Sequence, residues 1–119
     1  MSKDGTLFMV TGSPGGRTII NTVLHTILNV VDFGMNAQEA IDAPRFHHQW
    51  LPDRLQYERF GISPDTIALL EARGHRLQAI GSQGIAEAIV HNAGTGVLEG
   101  GCDRRASDGA AVAQPAARK

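Results

Sequence analysis

The chain has 119 residues, 42% of them hydrophobic and 19% charged, with a formal net charge of -1. That length fits one modest domain and that composition allows a packed core, while scattered Lys and Arg give no reason to propose a nucleic acid or an anionic membrane as partner. The single cysteine, Cys102, rules out an intrachain disulfide and argues against a Cys-based zinc site. No apolar run approaches the roughly 20 residues of a membrane span, and no basic-then-apolar leader opens the chain.

Leu7-Phe8-Met9-Val10 is a short apolar run that predicts a buried strand, with Lys3-Asp4-Gly5 as the turn before it. Gly12-Ser13-Pro14-Gly15-Gly16 is a cluster of helix and strand breakers. Arg17 to Phe33 then predicts a long helix. Its apolar residues, Ile20, Val23, Leu24, Ile27, Leu28 and Val31, recur at spacings of three and four. That stripe is expected to pack on a central sheet. Gly34 follows as a C-terminal glycine. Asn36 with Glu39 predicts a capped second helix that Pro44 ends.

Arg45 to Pro52 reads as irregular or extended, and Leu55-Gln56-Tyr57 as a weak strand. Ser63-Pro64 predicts an N-cap and first helical residue, with Ile67, Leu69 and Leu70 in a helix that stops at Gly74. His75 to Ile80, Ala86 to His91 and Val97 to Gly101 are candidate strands. Asn92 to Gly96 is a hairpin turn between the last two. The Ala, Gly, Gln and Arg content after residue 105 predicts a loosely held tail over 106–119.

A strand, a glycine-rich turn and a helix present free backbone N–H groups where the helix dipole favours negative charge. Three chemistries compete for Gly12 to Arg17. A P-loop needs four residues between its glycines and then Lys; here Gly16-Arg17-Thr18 follows Gly12 one residue early, with Arg in place of Lys. A nucleophile elbow at Ser13 needs glycines two before and two after. Thr11 fails that pattern, and Pro14 removes the donor after the nucleophile. An oxyanion hole fits better, because Gly15 and Gly16 can turn two N–H groups toward one oxygen without side chains in the way. From these residues alone, a tight strand-to-helix turn with no ligand is favoured over all three.

The wider strings decide between them. Val10 to Leu24, Asn29 to Asn36 and above all Ala43-Pro44-Arg45-Phe46-His47-His48-Gln49-Trp50-Leu51-Pro52-Asp53 closely resemble the γ-glutamyltransferase (glutathione hydrolase) family, and the likeness persists to about Arg104. The resemblance implies an α/β (α+β) fold, part of the αββα sandwich of N-terminal-nucleophile hydrolases. It implies transfer of a γ-glutamyl group from glutathione or another γ-glutamyl compound to water or to an amino-acid or peptide acceptor. No cofactor is implied. Family precursors cut themselves into a large and a small subunit, and the new N-terminal threonine of the small subunit attacks the γ-carbonyl.

The resemblance places residues 1–105 in the C-terminal part of that small subunit. It assigns the oxyanion N–H groups to Gly15 and Gly16, and backbone contact with the glutamyl group to Gly16. The threonine, the remaining substrate clamp and the large subunit would lie outside this chain, so the isolated chain is expected to be inactive. Thr6 matches a strand turn and not the processing site. The family is periplasmic, secreted or displayed on the cell surface. Gly101-Cys102-Asp103-Arg104-Arg105 departs from the family pattern, with Cys at a small-residue position and Arg where Pro is usual. That departure is expected to affect a terminal strand and its turn more than the chemistry.

Two other readings stand beside the enzyme. One is a remnant that folds by self-association through open sheet edges. The other is a poly-γ-glutamate or cephalosporin acylase type of relative. Among the remaining residues, adjacent His47 and His48 on extended chain point to opposite faces and chelate a metal poorly. They are expected to make structural hydrogen bonds. Phe46 and Trp50 read as core or interface anchors, Cys102 as small-residue packing, and Asp32 and Asp42 as helix-end or solvated groups.

Overall fold

The computed structural model describes residues 1–112; the last part of the expected tail, 113–119, lies outside them. The chain opens with a hairpin of β1 (Ser2–Lys3) and β2 (Thr6–Leu7). Asp4 and Gly5 form its two-residue turn with φ of 51° and 77°, as a turn matching strand twist requires. The expected strand over residues 7–10 is therefore displaced. Thr6–Leu7 belongs to the hairpin, and the strand proper, β3, runs Met9–Gly12.

The helix α1 spans Ile19–Val31, two residues later than Arg17. Gly15 has φ of +127°, outside the helical region, and Ile19 N–H closes a turn on Gly16 O at 3.2 Å. Helix α2 (Ala37–Asp42) carries the predicted capping box: Glu39 N–H donates to Asn36 Oδ1 at 2.9 Å, and Asn36 N–H to Glu39 Oε2 at 3.0 Å. The stretch read as irregular or extended holds a short strand, β4 (Phe46–His47), antiparallel to β5 (Leu55–Glu58). Helix α3 (Pro64–Ala72) links β5 to the parallel strand β6 (Leu77–Ile80) in a βαβ unit. Ser63 caps nothing with its side chain and instead donates to Thr66 Oγ1 at 2.8 Å.

Strands β7 (Glu87–Asn92) and β8 (Val97–Cys102) form the predicted hairpin, and the sheet order is β3-β7-β8, antiparallel throughout. Asn92 Oδ1 accepts from Gly94 and Thr95 N–H, which shapes the turn. The core lies between this sheet and the two helices: Met9, Ala88 and Val90 face Val30, Ala37, Ala40 and Ile41. Small side chains set the spacing. A Cβ on Gly101 would sit 2.6 Å from Ala37 O. Gln38 also seals the sheet's end, its Nε2 donating to Cys102 O at 2.8 Å and its Oε1 accepting from Cys102 N–H at 3.1 Å.

The apolar stripe of α1 packs on the sheet only in part, through Ile27 beside the buried Val30. The face of α1 buried in this chain is Thr22, Thr26 and Val30, while Ile20 is 78% exposed and Leu24 and Val31 about half exposed. Threonine suits close contact because it is small, and Thr26 quiets its hydroxyl by donating to Thr22 O at 2.9 Å. Of the two readings of Phe46 and Trp50, core or interface anchors, the core is excluded within this chain: both are exposed, Trp50 at a φ of 71°. Asp32 and Asp42 do stand at helix ends, as C-cap of α1 and last residue of α2.

Replacing Gly101 with Ala should lower stability by about 2 kcal/mol, the usual cost of forcing atoms into a filled core. A urea midpoint equal to that of the parent chain would show that α2 does not rest on β8.

Candidate functional site

The loop from Ser13 to Thr18 joins the end of β3 to the start of α1, on the open rim of the sheet. Gly15 and Gly16 are both exposed. Among the described residues neither N–H group has an acceptor. A Cβ on Gly16 would meet nothing within 4 Å. Thr18, at the N-cap, makes no side-chain capping bond, so the first turn of α1 also keeps unmet N–H groups. Ser13 donates its hydroxyl to Pro14 O at 3.0 Å, an internal loop contact.

A cavity of about 430 Å³ adjoins the loop, lined by Pro14, Gly15, Thr18, Ser82, Gly84, Ile85 and Arg105. Gly84 has φ of +63° and packs against Thr22, whose Oγ1 would lie 2.6 Å from an added Cβ. That close approach lays the 82–85 segment beside the glycine loop.

Beneath this wall lies a buried cluster of two arginines and two carboxylates. Arg45 Nη2 donates to Asp103 Oδ2 at 2.8 Å and to Ile41 O at 2.9 Å, and its Nη1 donates to Gln83 O at 2.8 Å. Arg105 grips Glu58 with two parallel bonds, Nε to Oε1 at 2.6 Å and Nη2 to Oε2 at 2.5 Å. Its Nη1 reaches Asp103 Oδ1 at 3.1 Å. Backbone donors complete the carboxylates: Arg45 and Gln83 N–H on Glu58, Ala86 and Arg105 N–H on Asp103. The four charges sum to zero, and every carboxylate oxygen has a donor.

Burial alone would raise both carboxyl groups. For Glu58 the bonds from Arg105, Gln83 and Arg45 outweigh it, and for Asp103 those from Arg105, Ala86 and Arg45 do so. Both groups titrate below the ordinary carboxylate range. Burial moves Arg45 down despite Asp103, yet a guanidinium stays charged throughout the accessible range. Glu58 and Asp103 hold Arg105 above its ordinary value against burial.

The histidines separate as their spacing predicts. His47 is buried with Nε2 3.0 Å from Gln49 Oε1, whereas exposed His48 places Nε2 3.2 Å from Asp53 Oδ1 and accepts Trp50 N–H at Nδ1. His25 stacks on Phe46 with ring centroids 4.4 Å apart. Burial, then the charge of Arg45, then His47 lower its pKa. Among the described residues no three His, Cys, Asp or Glu side chains gather as a metal site, and no helix is long and apolar enough to cross a membrane. The residues that reading the sequence missed are Arg45, Glu58, Asp103 and Arg105. Arg45 and Asp103 stood within the recognised strings, but nothing local signals a partner 58 residues away.

A Helicobacter pylori gamma-glutamyltranspeptidase mutant superimposes with a TM-score of 0.83 at 42% identity, covering 89% of this chain and 58% of that one. A cephalosporin acylase from Bacillus halodurans does so with a TM-score of 0.79 at 32% identity, covering 92% of this chain and 20% of that one. The fold is thus part of an N-terminal-nucleophile hydrolase. The family model described as Gamma-glutamyltranspeptidase matches residues 1–113. The glutathione hydrolase proenzyme of Escherichia coli (strain K12) is 49% identical over 106 residues, 89% of this chain and 18% of that protein. The chain belongs to the gamma-glutamyltranspeptidase family. It spans less than a fifth of that curated relative's length.

Because Glu58 and Asp103 bind their protons less readily folded than unfolded, their stabilisation is complete above the ordinary carboxylate pKa of about 4. It is lost as pH falls through their depressed folded values. Asp103→Ala should cost about 3 kcal/mol or more at neutral pH, by leaving Arg45 buried without its carboxylate, and should flatten the acid limb of the stability profile. An unchanged acid limb would place the proton uptake elsewhere.

His25 adds a second window: unfolded chains take up its proton first, so stability should fall as pH drops below about 6.5. His25→Asn should remove that step in thermal melts between pH 7.5 and 5.5. A step that survives the substitution would assign it to another group.

Proposed function

We propose that this chain is the C-terminal part of the small subunit of a γ-glutamyltransferase or glutathione hydrolase, with residues 1–105 as scaffold. In this reading Gly15 and Gly16 stabilise the oxyanion formed at the γ-carbonyl. The observation that carries it is the pair of exposed glycine N–H groups without an acceptor among the described residues, ahead of a 13-residue helix. An attacking threonine hydroxyl turns the γ-carbonyl oxygen into an oxyanion. Two backbone donors and the positive end of α1 offset that charge. Collapse expels the amine, which takes the proton given up by the threonine hydroxyl, and leaves a γ-glutamyl ester; water or the amine of an amino-acid or peptide acceptor then cleaves that ester, returning a proton to the threonine oxygen.

The threonine, the rest of the small subunit and the large subunit come from sequence outside this chain. The uncovered apolar residues of α1, and Val10 and Ile89 on the outer face of the sheet, support that assignment, because a complete sandwich would bury them. They equally favour a second reading, a self-associating remnant. The similarity to the Escherichia coli glutathione hydrolase proenzyme favours glutathione as donor over the acylase branch. A periplasmic, secreted or cell-surface location goes with the same reading.

The isolated chain should release no product from a γ-glutamyl anilide. In the full-length enzyme Gly16→Val should lower kcat by about 100-fold, the scale of losing one oxyanion donor. The open space at Gly16 lets the variant keep its fold, so unchanged kcat would remove the oxyanion assignment.

A further inference from the structure

Arg17 follows Gly16 directly and lines a pocket of about 160 Å³ with His47, Gln49, Pro52, Arg54 and Gln56. Its Nη1 donates to Gln56 Oε1 at 3.1 Å and to Gln49 Oε1 at 3.4 Å. Both amides have fixed orientations, since Gln49 Nε2 donates to Leu51 O and Gln56 Nε2 to Gln78 Oε1. Gln49 Oε1 can only accept, so His47 Nε2 carries the proton and Nδ1 presents a lone pair. That Nδ1 is buried and without a partner among the described residues.

Among the described residues neither Arg17 nor Arg54 lies within 4 Å of a carboxylate. Two guanidinium groups therefore share one small pocket with neutral amides and an imidazole. Their repulsion is relieved by an anion, and planar carboxylates match the guanidinium fork. Among the described residues Nη2 and Nε of Arg17 hold no bond.

We propose that this pocket binds the terminal carboxylate of the amine that leaves or accepts the γ-glutamyl group. The inference rests on the oxyanion role of Gly15 and Gly16. A dipeptide amine spans roughly 7 Å when extended, a length that an arginine side chain matches. A substrate whose carbonyl lies over Gly16 can thus lay its carboxyl end against Arg17. The pocket selects peptides and amino acids with a free carboxylate over their amides.

Two measurements test it. The first titrates the labelled 119-residue chain with glycylglycine and with glycylglycinamide, following the arginine Nε–H resonances. Saturable shifts at Arg17 and Arg54 with the carboxylate alone are expected, and Arg17→Gln should weaken binding roughly five- to tenfold. Equal shifts with both peptides, or none, would overturn the site. The second uses the full-length enzyme and two γ-glutamyl anilides, one with a carboxylate on the ring. The ratio of their kcat/KM values should fall roughly five- to tenfold in Arg17→Gln and recover in part in Arg17→Lys. An unchanged ratio overturns the proposal. If the full-length enzyme cleaves neither anilide, the γ-glutamyl reading has failed instead, and the titration decides the pocket.

Discussion

The clasp of Arg45, Glu58, Asp103 and Arg105 is the constraint on which the other contacts rest. The four residues come from three parts of the chain: Arg45 from the exit of α2, Glu58 from strand β5, and Asp103 and Arg105 from the segment after β8. Apolar burial here is modest. Among the described residues the core is eight side chains, four of them alanine, so hydrophobic contact alone does not fix how the two three-stranded sheets meet. The ionic cluster does so by geometry. Removing one member leaves a buried charge without its counterion, and that makes the cluster an all-or-none lock. Glu58 and Asp103 also satisfy backbone donors of Arg45, Gln83 and Ala86, which no regular ladder reaches.

That lock shapes the candidate site indirectly. Arg105 is saturated by Glu58, Asp103 and two carbonyls, so it borders the cavity beside Gly15 as a wall and not as a free ligand. Gln83 is pinned at both ends, by Glu58 and by its bond to Phe46 O. Gly84 follows at once against Thr22. The position of the 82–85 segment relative to the start of α1 thus depends on charges well behind the glycine loop. The departure at Arg104 leaves the lock intact, because Arg104 is exposed and among the described residues pairs only with Asp42 at 3.5 Å. Its neighbours Asp103 and Arg105 carry contacts of the 101–105 segment with the rest of the fold.

Local signals were legible in the sequence, and long-range ones were not. The Asn36–Glu39 box, Pro64 at the start of α3 and the Asn92 turn all depend on neighbours within four residues. The glycine loop was legible as a turn with free donors, since Gly15 and Gly16 need no partner to show it. The spacing of α1 gave its helix but not its facing. Periodicity marks which residues are apolar, whereas burial depends on what else is present, and here Ile20 and Leu24 lack a cover. Strand β4 escaped notice because two residues carry no period; only pairing with Tyr57 and Gln56 makes it a strand.

Amide hydrogen exchange in the 119-residue chain tests the lock most directly. The N–H groups of Arg45, Gln83 and Ala86 donate to the buried carboxylates, so they should open only with global unfolding and exchange as slowly as the centre of β7. Exchange of those three amides as fast as that of Gly94 in the hairpin turn would contradict the account.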